Sequence, residues 1–258
     1  MQVIVMTSDG KKYRDCIEPF MYLWSRHFDK VAEERNIDIS DIDKVFCGFS
    51  KPKDIDFKLY GWRWETIGAI EDFPANKWSD AWLHVLNNIA QPQFLLMLED
   101  YWLCKDVDIK GMKILFGYAD QFNYLLKADV ATDRLHANKD FIEDYGKVGH
   151  LDLIHSLSGA DYQMSLWGGI WNRDTMKRFI IAGESAQQIE MQGTTRVNKE
   201  GSDVLVIGTK QAPLVHANIY WSAFGDKPTY ADPYGEPPKW EVDKVFLKEM
   251  RDKEIWKL

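Results

Sequence analysis

Residues 92–103 read PQFLLMLEDYWL, an almost unbroken apolar run up to two adjacent carboxylates. A short apolar run without alternation, opened by a proline, is typical of a central strand in a sheet that is covered on both faces. Glu99 and Asp100 then lie at the carboxyl end of this strand. Ligands of open α/β sheets bind at that end, so the pair is well placed to hold a divalent cation against a phosphate. The alternative is a structural pair that caps a helix or meets a lysine.

The composition predicts one globular domain over residues 1–258. The chain is 45% hydrophobic and 28% charged, which excludes a disordered protein. Its net charge of -8 excludes a surface that holds nucleic acid by charge alone, although a local basic groove stays open. Three distant cysteines without a C-x-x-C spacing predict buried free thiols and neither a disulfide framework nor a zinc site.

The first residues and the apolar runs predict a cytoplasmic protein, in the host cytoplasm if a phage encodes it. The chain enters a β-branched run at residues 3–7 without a basic segment and a long apolar stretch. No apolar stretch reaches the ~20 residues that span a bilayer.

Strands and helices alternate through the first half of the chain. Strands are predicted at 3–7, 44–49, 65–70 and 94–98, and helices at 13–31 and 76–89. Such alternation implies parallel pairing with right-handed crossovers, hence an α/β fold with a mostly parallel central sheet flanked by helices. We expect the strands at 3–7, 44–48 and 94–98 to be neighbours or near neighbours.

The second half is less regular. The pattern predicts helices at 109–121, from residue 172, at 185–190 and at 241–258, and strands at 124–130, 163–171 and 203–208. Residues 136–158 are mixed. Ser185 is a plausible N-cap for the helix that it opens.

The order of these elements resembles that of GT-A nucleotide-sugar glycosyltransferases. Residues 94–102, 162–167 and 171–174, together with Glu190, look like small GT-A-like proteins from bacteria and bacteriophages. The resemblance covers most of residues 1–221, and the usual Asp-X-Asp motif is replaced by Leu-Glu-Asp at 98–100.

The resemblance implies a GT-A-like (Rossmann-like) domain with a nucleotide-binding half, an acceptor half and a C-terminal extension. Their predicted ranges are 1–105, 106–222 and 223–258.

The resemblance also implies a chemistry for the acidic pair. When a sugar leaves a nucleoside diphosphate, negative charge grows on the phosphates, and a divalent metal stabilises it. Asp100, as a strand-end carboxylate facing solvent, would bind Mn²⁺ or Mg²⁺, and Glu99 would bind through water or contact the ribose or sugar. His216 stands where many GT-A enzymes carry a late metal-binding histidine, although it could instead belong to an acceptor loop.

The nucleotide candidates follow the first strand and open the second helix. Thr7, Ser8 and Asp9 lie where this fold holds the nucleobase and ribose, and an ordinary βα turn is the alternative. Lys77 and Asp80 are second candidates, with a solvated helix face as the alternative.

The acceptor hydroxyl must lose a proton as it attacks the sugar. Glu190 is the predicted general base, because the resembling proteins carry a glutamate there, and a helix-surface role is its alternative. Indole and phenol rings stack on sugars, so the predicted acceptor or sugar residues are Trp102, Trp167, Trp171 and Tyr220. Core packing is the alternative for the tryptophans.

These features predict a glycosyltransferase of hexosyltransferase type. Its partners would be a nucleotide-sugar donor and a saccharide or other hydroxyl acceptor. Two alternatives stay open: a phage-type enzyme that adds sugar to a modified DNA base, and a non-catalytic carbohydrate- or nucleotide-binding module.

Overall fold

Two layers of helices cover a nine-stranded sheet in the computed structural model, which describes residues 1–131, 139–218 and 244–255. The strands are β1 (Gln2–Met6), β2 (Asp43–Gly48), β3 (Arg63–Thr66), β4 (Gln93–Leu98), β5 (Tyr101–Leu103), β6 (Leu125–Asp129), β7 (Ile142–Val148), β8 (Leu151–Ser156), β9 (Gly169–Asn172), β10 (Leu205–Thr209) and β11 (His216–Asn218).

The α-helices are α1 (Lys11–Trp24), α2 (Lys30–Glu34), α3 (Trp78–Asn88), α4 (Ile109–Ala119), α5 (Arg173–Arg178), α6 (Ala186–Gln188), α7 (Thr194–Glu200) and α8 (Lys244–Asp252). Two π-helical turns, Ser25–Asp29 and Ile189–Gly193, join α1 to α2 and α6 to α7. Short 3-10 turns lie at Phe57–Tyr60, Ile70–Asp72, Ala75–Lys77 and Lys139–Phe141.

The strand order in the large sheet is β3-β2-β1-β4-β9-β6-β10-β8-β7. The first four strands are parallel, β9 is antiparallel to both β4 and β6, and β8 is antiparallel to both β10 and β7. Because β6 and β10 are parallel, all strands except β8 and β9 point the same way. The predicted α/β class with a mostly parallel sheet is therefore confirmed.

The predicted neighbours are confirmed. Strand β1 lies between β2 and β4, with Met6 opposite both Cys47 and Leu98. The three strands therefore end at one level. A small separate sheet pairs β5 with β11, so the chain leaves the large sheet directly after the acidic pair.

The unbroken apolar sequence of β4 reflects a core on each side of the sheet. Leu95 and Met97 pack on the side of α1, whereas Phe94 and Leu96 pack on the side of α3. Consecutive strand residues point to opposite faces, so a strand between two cores needs apolar residues at every position.

Aromatic side chains fill much of both cores. On the α1 side, the rings of Phe20, Trp24 and Trp62 contact one another at centroid distances of 5.5–5.9 Å. On the α3 side, Trp82 meets the ring of Phe94 edge-on at 5.7 Å. Core packing therefore accounts for a large part of the tryptophan content.

The predicted strand at 163–171 is wrong in its first six residues, because only Gly169–Asn172 joins the sheet. Tyr162 has a φ of 54°, which breaks an extended run. The amides of Met164 and Leu166 donate to the side chains of Thr194 and Glu190 instead of a neighbouring strand. We call residues 162–168 the edge loop.

The other differences are smaller. The predicted third strand starts earlier and ends at Thr66, and a 3-10 turn occupies Ile70–Asp72. The mixed stretch contains the hairpin of β7 and β8. The tail helix is confirmed as α8 within its predicted range. No helix in residues 1–131, 139–218 and 244–255 combines the length and apolarity needed to cross a membrane.

We predict that Phe94→Ala lowers the free energy of unfolding by about 3–5 kcal/mol, because it leaves a cavity between Trp82 and the central strands. Urea unfolding followed by fluorescence measures the change. Leu59→Ala is the control: Leu59 is 73% exposed, so its effect should stay within about 0.5 kcal/mol. Equal effects of the two substitutions would contradict the assignment of β4 to the core.

Candidate functional site

The carboxyl edge of the large sheet collects most of the predicted polar residues. Thr7 follows β1, Glu99 follows β4, and Asp129 ends β6. Because β9 runs the opposite way, its beginning at Gly169 lies at the same edge, opposite Asp129. Side chains from three strands and the beginning of a fourth strand therefore lie at the edge where an α/β sheet ordinarily binds its ligand.

The Glu99 side chain ties the end of β4 to the end of β1. Its Oε1 accepts hydrogen bonds from the Thr7 hydroxyl and from the Ser8 amide, both at 3.2 Å. The residue is only 4% exposed. Burial, followed by the adjacent Asp100 carboxylate, raises the pKa of Glu99 to about 8. Glu99 thus fixes the turn on which the predicted nucleotide residues lie, and its carboxyl group is mostly protonated at neutral pH.

Asp100 lies in the two-residue turn between β4 and β5. It is 7% exposed, which corrects the expectation of a carboxylate that faces solvent. The other residue of the turn is Glu99, so two adjacent carboxyl groups are buried at the carboxyl edge of the sheet. Burying like charges together is costly, and the raised pKa of Glu99 relieves that cost by keeping one group neutral.

The described residues contain no group of three or more His, Cys, Asp or Glu side chains arranged to hold a metal ion. Mg²⁺ is, however, usually bound through one or two carboxylates together with substrate phosphates. Asp100 fits that arrangement, because it is a single carboxylate at the ligand-binding edge. The protein part of a metal site here would be small, with the diphosphate supplying further ligands.

His216 lies on β11 and is 2% exposed. Its ring stacks on Tyr101 at 4.6 Å and meets Trp167 at 5.2 Å, and neither ring nitrogen has a hydrogen-bond partner in the part of the chain that is described. Burial, and then the positive charge of Lys127, lowers the pKa of His216 to about 3. The imidazole is therefore neutral, the form that can bind a metal or accept a hydrogen bond from a hydroxyl.

A cavity of about 130 Å³ lies beside the predicted nucleotide turn. Its walls are formed by Ser8, Asp9, Arg14, Ile17, Ser50, Pro52 and Trp64. Asp9 accepts a hydrogen bond from the Ser50 amide, which joins the turns after β1 and β2. Ser8 lines the cavity, and its hydroxyl group is buried without a hydrogen-bond partner among the described residues.

Sequence reasoning missed Trp64 and Arg14 in this cavity. Gly48 makes room for the indole, because a Cβ at that position would lie only 2.5 Å from the ring of Trp64. Arg14 lies at the start of α1, shortly after the predicted βα turn. This position in the sequence could have indicated that its side chain lies near the predicted nucleotide residues. No local pattern in the sequence shows that Trp64 turns toward Thr7.

The second pair of nucleotide candidates lies at the start of α3. Lys77 is exposed, whereas Asp80 accepts a hydrogen bond from the Gly183 amide at 2.7 Å. Asp80 therefore anchors the loop before α6, and a structural role accounts for it.

Glu190 lies in the π-helical turn Ile189–Gly193, and its Oε1 accepts a hydrogen bond from the Leu166 amide at 2.7 Å. The hydroxyl oxygen of Thr194, the first residue of α7, also accepts a hydrogen bond from that loop, so the turn and the start of α7 both contact the edge loop. Single π-turns are rare and frequently occur at functional sites. Glu190 is thus held beside the carboxyl edge by the loop that leads into β9.

The aromatic candidates divide into two groups. Trp102 and Trp171 are fully buried, so the sugar-stacking role predicted for them is corrected: they are core residues with no exposed ring face. Trp167 is only partly buried and contacts Tyr101 and His216. Tyr220 lies outside the described residues.

No protein-family model matches the chain, and no curated protein matches its sequence. Among solved structures, the chain is similar to CMP:2-keto-3-deoxy-manno-octonic acid synthetase complexed with CTP, with 12% identity and a TM-score of 0.42 over 80% of this chain and 88% of the other. An active-site mutant of LgtC gives 12% identity and a TM-score of 0.42, over 80% and 72% of the two chains.

A cytidylyltransferase from Leptospira borgpetersenii gives 9% identity and a TM-score of 0.40, over 98% and 94%. LgtC is a galactosyltransferase. The similar structures therefore include a glycosyltransferase, the class of protein that the sequence resembles, beside a synthetase complexed with CTP and a cytidylyltransferase. Similarity at these identities and scores assigns neither a substrate nor the role of any residue.

We predict that Glu99→Gln changes how stability depends on pH. The folded-state pKa of about 8 lies above the ordinary value of 4.5, so the folded protein holds an extra proton between these pH values. Wild-type stability should then fall as pH rises from about 4.5 to about 8, with each pKa unit corresponding to about 1.4 kcal/mol.

The glutamine side chain of the variant cannot ionise, so the variant should lack this decline and gain stability relative to wild type as pH rises. Chemical unfolding at pH 5, 6.5 and 8 measures the difference. A constant difference between the two proteins across that range would contradict the burial of an ionisable Glu99.

Proposed function

We propose that this protein transfers a sugar from a nucleoside-diphosphate sugar to an acceptor hydroxyl. The observation that carries the proposal is the Glu99 carboxyl group, which binds the turn after β1, where Ser8 lines a cavity, and which is followed directly in the chain by Asp100. On the other side of the same edge lies Glu190, held by the edge loop. The site thus offers a nucleoside cavity, a carboxylate for the diphosphate region and a second carboxylate for proton transfer.

The nucleoside would occupy the cavity between Trp64 and the turn after β1. An indole face stacks on a nucleobase, and the Ser8 hydroxyl and the Asp9 carboxylate suit ribose hydroxyls. Arg14, which pairs with Asp54 at 2.9 Å, brings positive charge to the cavity wall. In this proposal the diphosphate extends from the cavity toward Asp100, which lies at the same edge of the sheet.

Metal assistance belongs to the proposal through Asp100. A bound Mn²⁺ or Mg²⁺ would supply charge stabilisation for the leaving diphosphate. The chain's own contribution is the raised pKa of Glu99, which favours the protonated form of that carboxyl group and so reduces repulsion beside Asp100. In the proposal, His216 would bind either the ion or a sugar hydroxyl, which is supported by its ring nitrogens having no partner among the described residues and by its contact with Trp167.

Glu190 is the proposed general base. As the acceptor oxygen forms a bond to the anomeric carbon, the bond from that carbon to the phosphate oxygen breaks, and its electron pair leaves with the nucleoside diphosphate. The acceptor proton passes to the Glu190 carboxylate. The Leu166 amide, bound to Oε1, holds this carboxylate in a fixed orientation.

A thermal-shift screen with UDP-, GDP- and CMP-sugars, with and without Mn²⁺, tests donor binding. We expect one nucleotide-sugar to raise the melting temperature, more so with Mn²⁺. Stabilisation by free sugars and not by nucleotides would instead indicate a binding module. The matching donor is then assayed for transfer to saccharides and to DNA with hydroxymethylated bases, which distinguishes the two acceptor classes.

We predict that Asp100→Ala abolishes transfer and the Mn²⁺-dependent part of donor stabilisation, because it removes the carboxylate that the proposal assigns to the metal ion. Asp120→Ala is the control, since Asp120 lines a cavity at the opposite edge of the sheet. Circular dichroism verifies the fold of both variants. Unchanged turnover by a folded Asp100→Ala protein would show that the acidic pair is only structural.

We predict that Glu190→Gln lowers kcat by about 10²- to 10⁴-fold, because glutamine keeps the bond from Leu166 but accepts no proton. Donor affinity, measured by calorimetry, should remain within about twofold, since the carboxylate meets the acceptor. The exposed Glu200→Gln on α7 is the matched control. Loss of donor affinity would move Glu190 to the nucleotide side of the site, and full turnover would refute its role as base.

A further inference from the structure

Lys127 is a completely buried cation in the middle of β6, two residues before the strand ends at Asp129. Its ammonium group forms an ion pair with Asp129, which is also completely buried, and lies 5.1 Å from the ring centre of Trp171. The third contact is a hydrogen bond of 2.8 Å that Nζ donates to the carbonyl oxygen of Ser165. Ser165 belongs to the edge loop, so the ammonium connects a core strand to that loop.

The adjacent strand is shaped to admit this side chain. A Cβ on Gly169 would overlap Cε of Lys127, so the glycine is needed for the lysine stem to pass along β9. A buried ion pair generally adds little net stability compared with apolar residues of the same volume. Packing and stability alone therefore do not account for a lysine at this position.

The contacts of Lys127 continue to the proposed general base. Its Nζ holds the Ser165 carbonyl, and the next amide along the chain, that of Leu166, donates to Glu190 Oε1 at 2.7 Å. The Trp167 amide follows, with a bond of 3.3 Å to the Ser165 hydroxyl. The Ser165–Leu166 peptide group thus accepts a hydrogen bond from Lys127 at its carbonyl oxygen and donates one to Glu190 from its amide nitrogen.

We propose that Lys127 is a positioning residue: with Asp129, it fixes the Ser165–Leu166 peptide and thereby orients the Glu190 carboxylate. The inference rests on the proposed function for its catalytic consequence. The orientation of the peptide is a separate structural property that can be measured without turnover. A displacement of about 1 Å at a catalytic group can cost on the order of 10²-fold in rate, so a buried lysine in this role acts on kcat.

The chain contains a matched control for this proposal. Lys44 pairs with Asp29, donates to the Tyr60 carbonyl at 3.2 Å and lies 5.6 Å from the ring centre of Trp62. Its partners are thus of the same kinds as those of Lys127: a carboxylate, a carbonyl and an indole. Lys44 is the second residue of β2, at the amino end of the strand and away from the carboxyl edge.

The test compares Lys127→Met/Asp129→Asn with Lys44→Met/Asp29→Asn. Each double substitution removes both charges, so neither leaves a buried charge without its partner. Two properties are measured: steady-state kcat and KM for transfer, and hydrogen exchange of the Leu166 amide, with the Arg173 amide as an internal reference. The Arg173 amide is bonded to the Pro92 carbonyl and lies beyond β9, outside the edge loop.

We expect the Lys127 pair of substitutions to lower kcat by about 10- to 100-fold with little change in donor KM, and to speed exchange at Leu166 by about tenfold but not at Arg173. The Lys44 pair should change neither property. Gly169→Ala is a second variant with all charges retained: it displaces the lysine stem and should also speed exchange at Leu166.

Unchanged Leu166 exchange in both Lys127→Met/Asp129→Asn and Gly169→Ala would overturn the positioning role. Faster exchange with full kcat would overturn its link to Glu190. If the wild-type protein transfers no sugar at all, the proposed function fails, and the exchange measurement still decides whether Lys127 fixes the peptide. If the Lys127 pair of substitutions prevents folding, the outcome for Gly169→Ala decides the proposal.

Discussion

The carboxyl group of Glu99 holds together two parallel strands that are far apart in sequence. It lies 92 positions after Thr7 in the sequence, yet its Oε1 accepts hydrogen bonds from both the Thr7 hydroxyl and the Ser8 amide. Strands β1 and β4 are paired up to Met6 and Leu98, but parallel strands are not joined by a tight turn, so pairing alone does not constrain the turns that follow them. The shared carboxyl supplies that constraint at the edge where the cavity and Asp100 lie. The geometry of the proposed donor site depends on it.

Ionisable groups are concentrated at this edge and in the strands that lead to it. Glu99 and Asp100 are adjacent buried residues after β4. Lys127 and Asp129 on β6 and His216 on β11 are also buried. Each would be unfavourable alone, and the structure compensates in different ways: by proton uptake at Glu99, by charge pairing at Lys127 and by a neutral ring at His216. Proteins retain such groups where charge must be stabilised in a low-dielectric site. The proposed transfer reaction would account for the concentration of these groups at the edge.

Much of the fold could be predicted because the strands of the first half are apolar runs, and these runs show directly which segments are buried. The apolar run of β4 and the βα turn after β1 predicted both the neighbouring strands and the edge at which the acidic pair lies. The beginning of β9 could not be predicted in this way. The side chains of Glu190 and Thr194 accept hydrogen bonds from amides of the edge loop. Hydrogen bonds between residues so far apart in the chain produce no periodic pattern in the sequence.

The site was predictable only for residues that end a strand. The indoles of Trp102 and Trp171 are core groups, and nothing in their local sequence distinguishes them from Trp167, which reaches the edge. Lys127 reads as an ordinary strand residue, because its role arises from contacts with β9 and the edge loop. Trp64 likewise reaches the cavity only because Gly48, on the neighbouring strand, has no side chain.

The central claim is that the carboxyl edge of the sheet binds a nucleoside-diphosphate sugar. A crystal structure of the protein soaked with the nucleotide-sugar that stabilises it most would test this claim directly. We predict the base against Trp64, the diphosphate beside Asp100 and the anomeric carbon facing Glu190. Density for the ligand at the opposite edge instead, in the cavity of about 350 Å³ lined by Met1, Gln93 and Lys113, would contradict it.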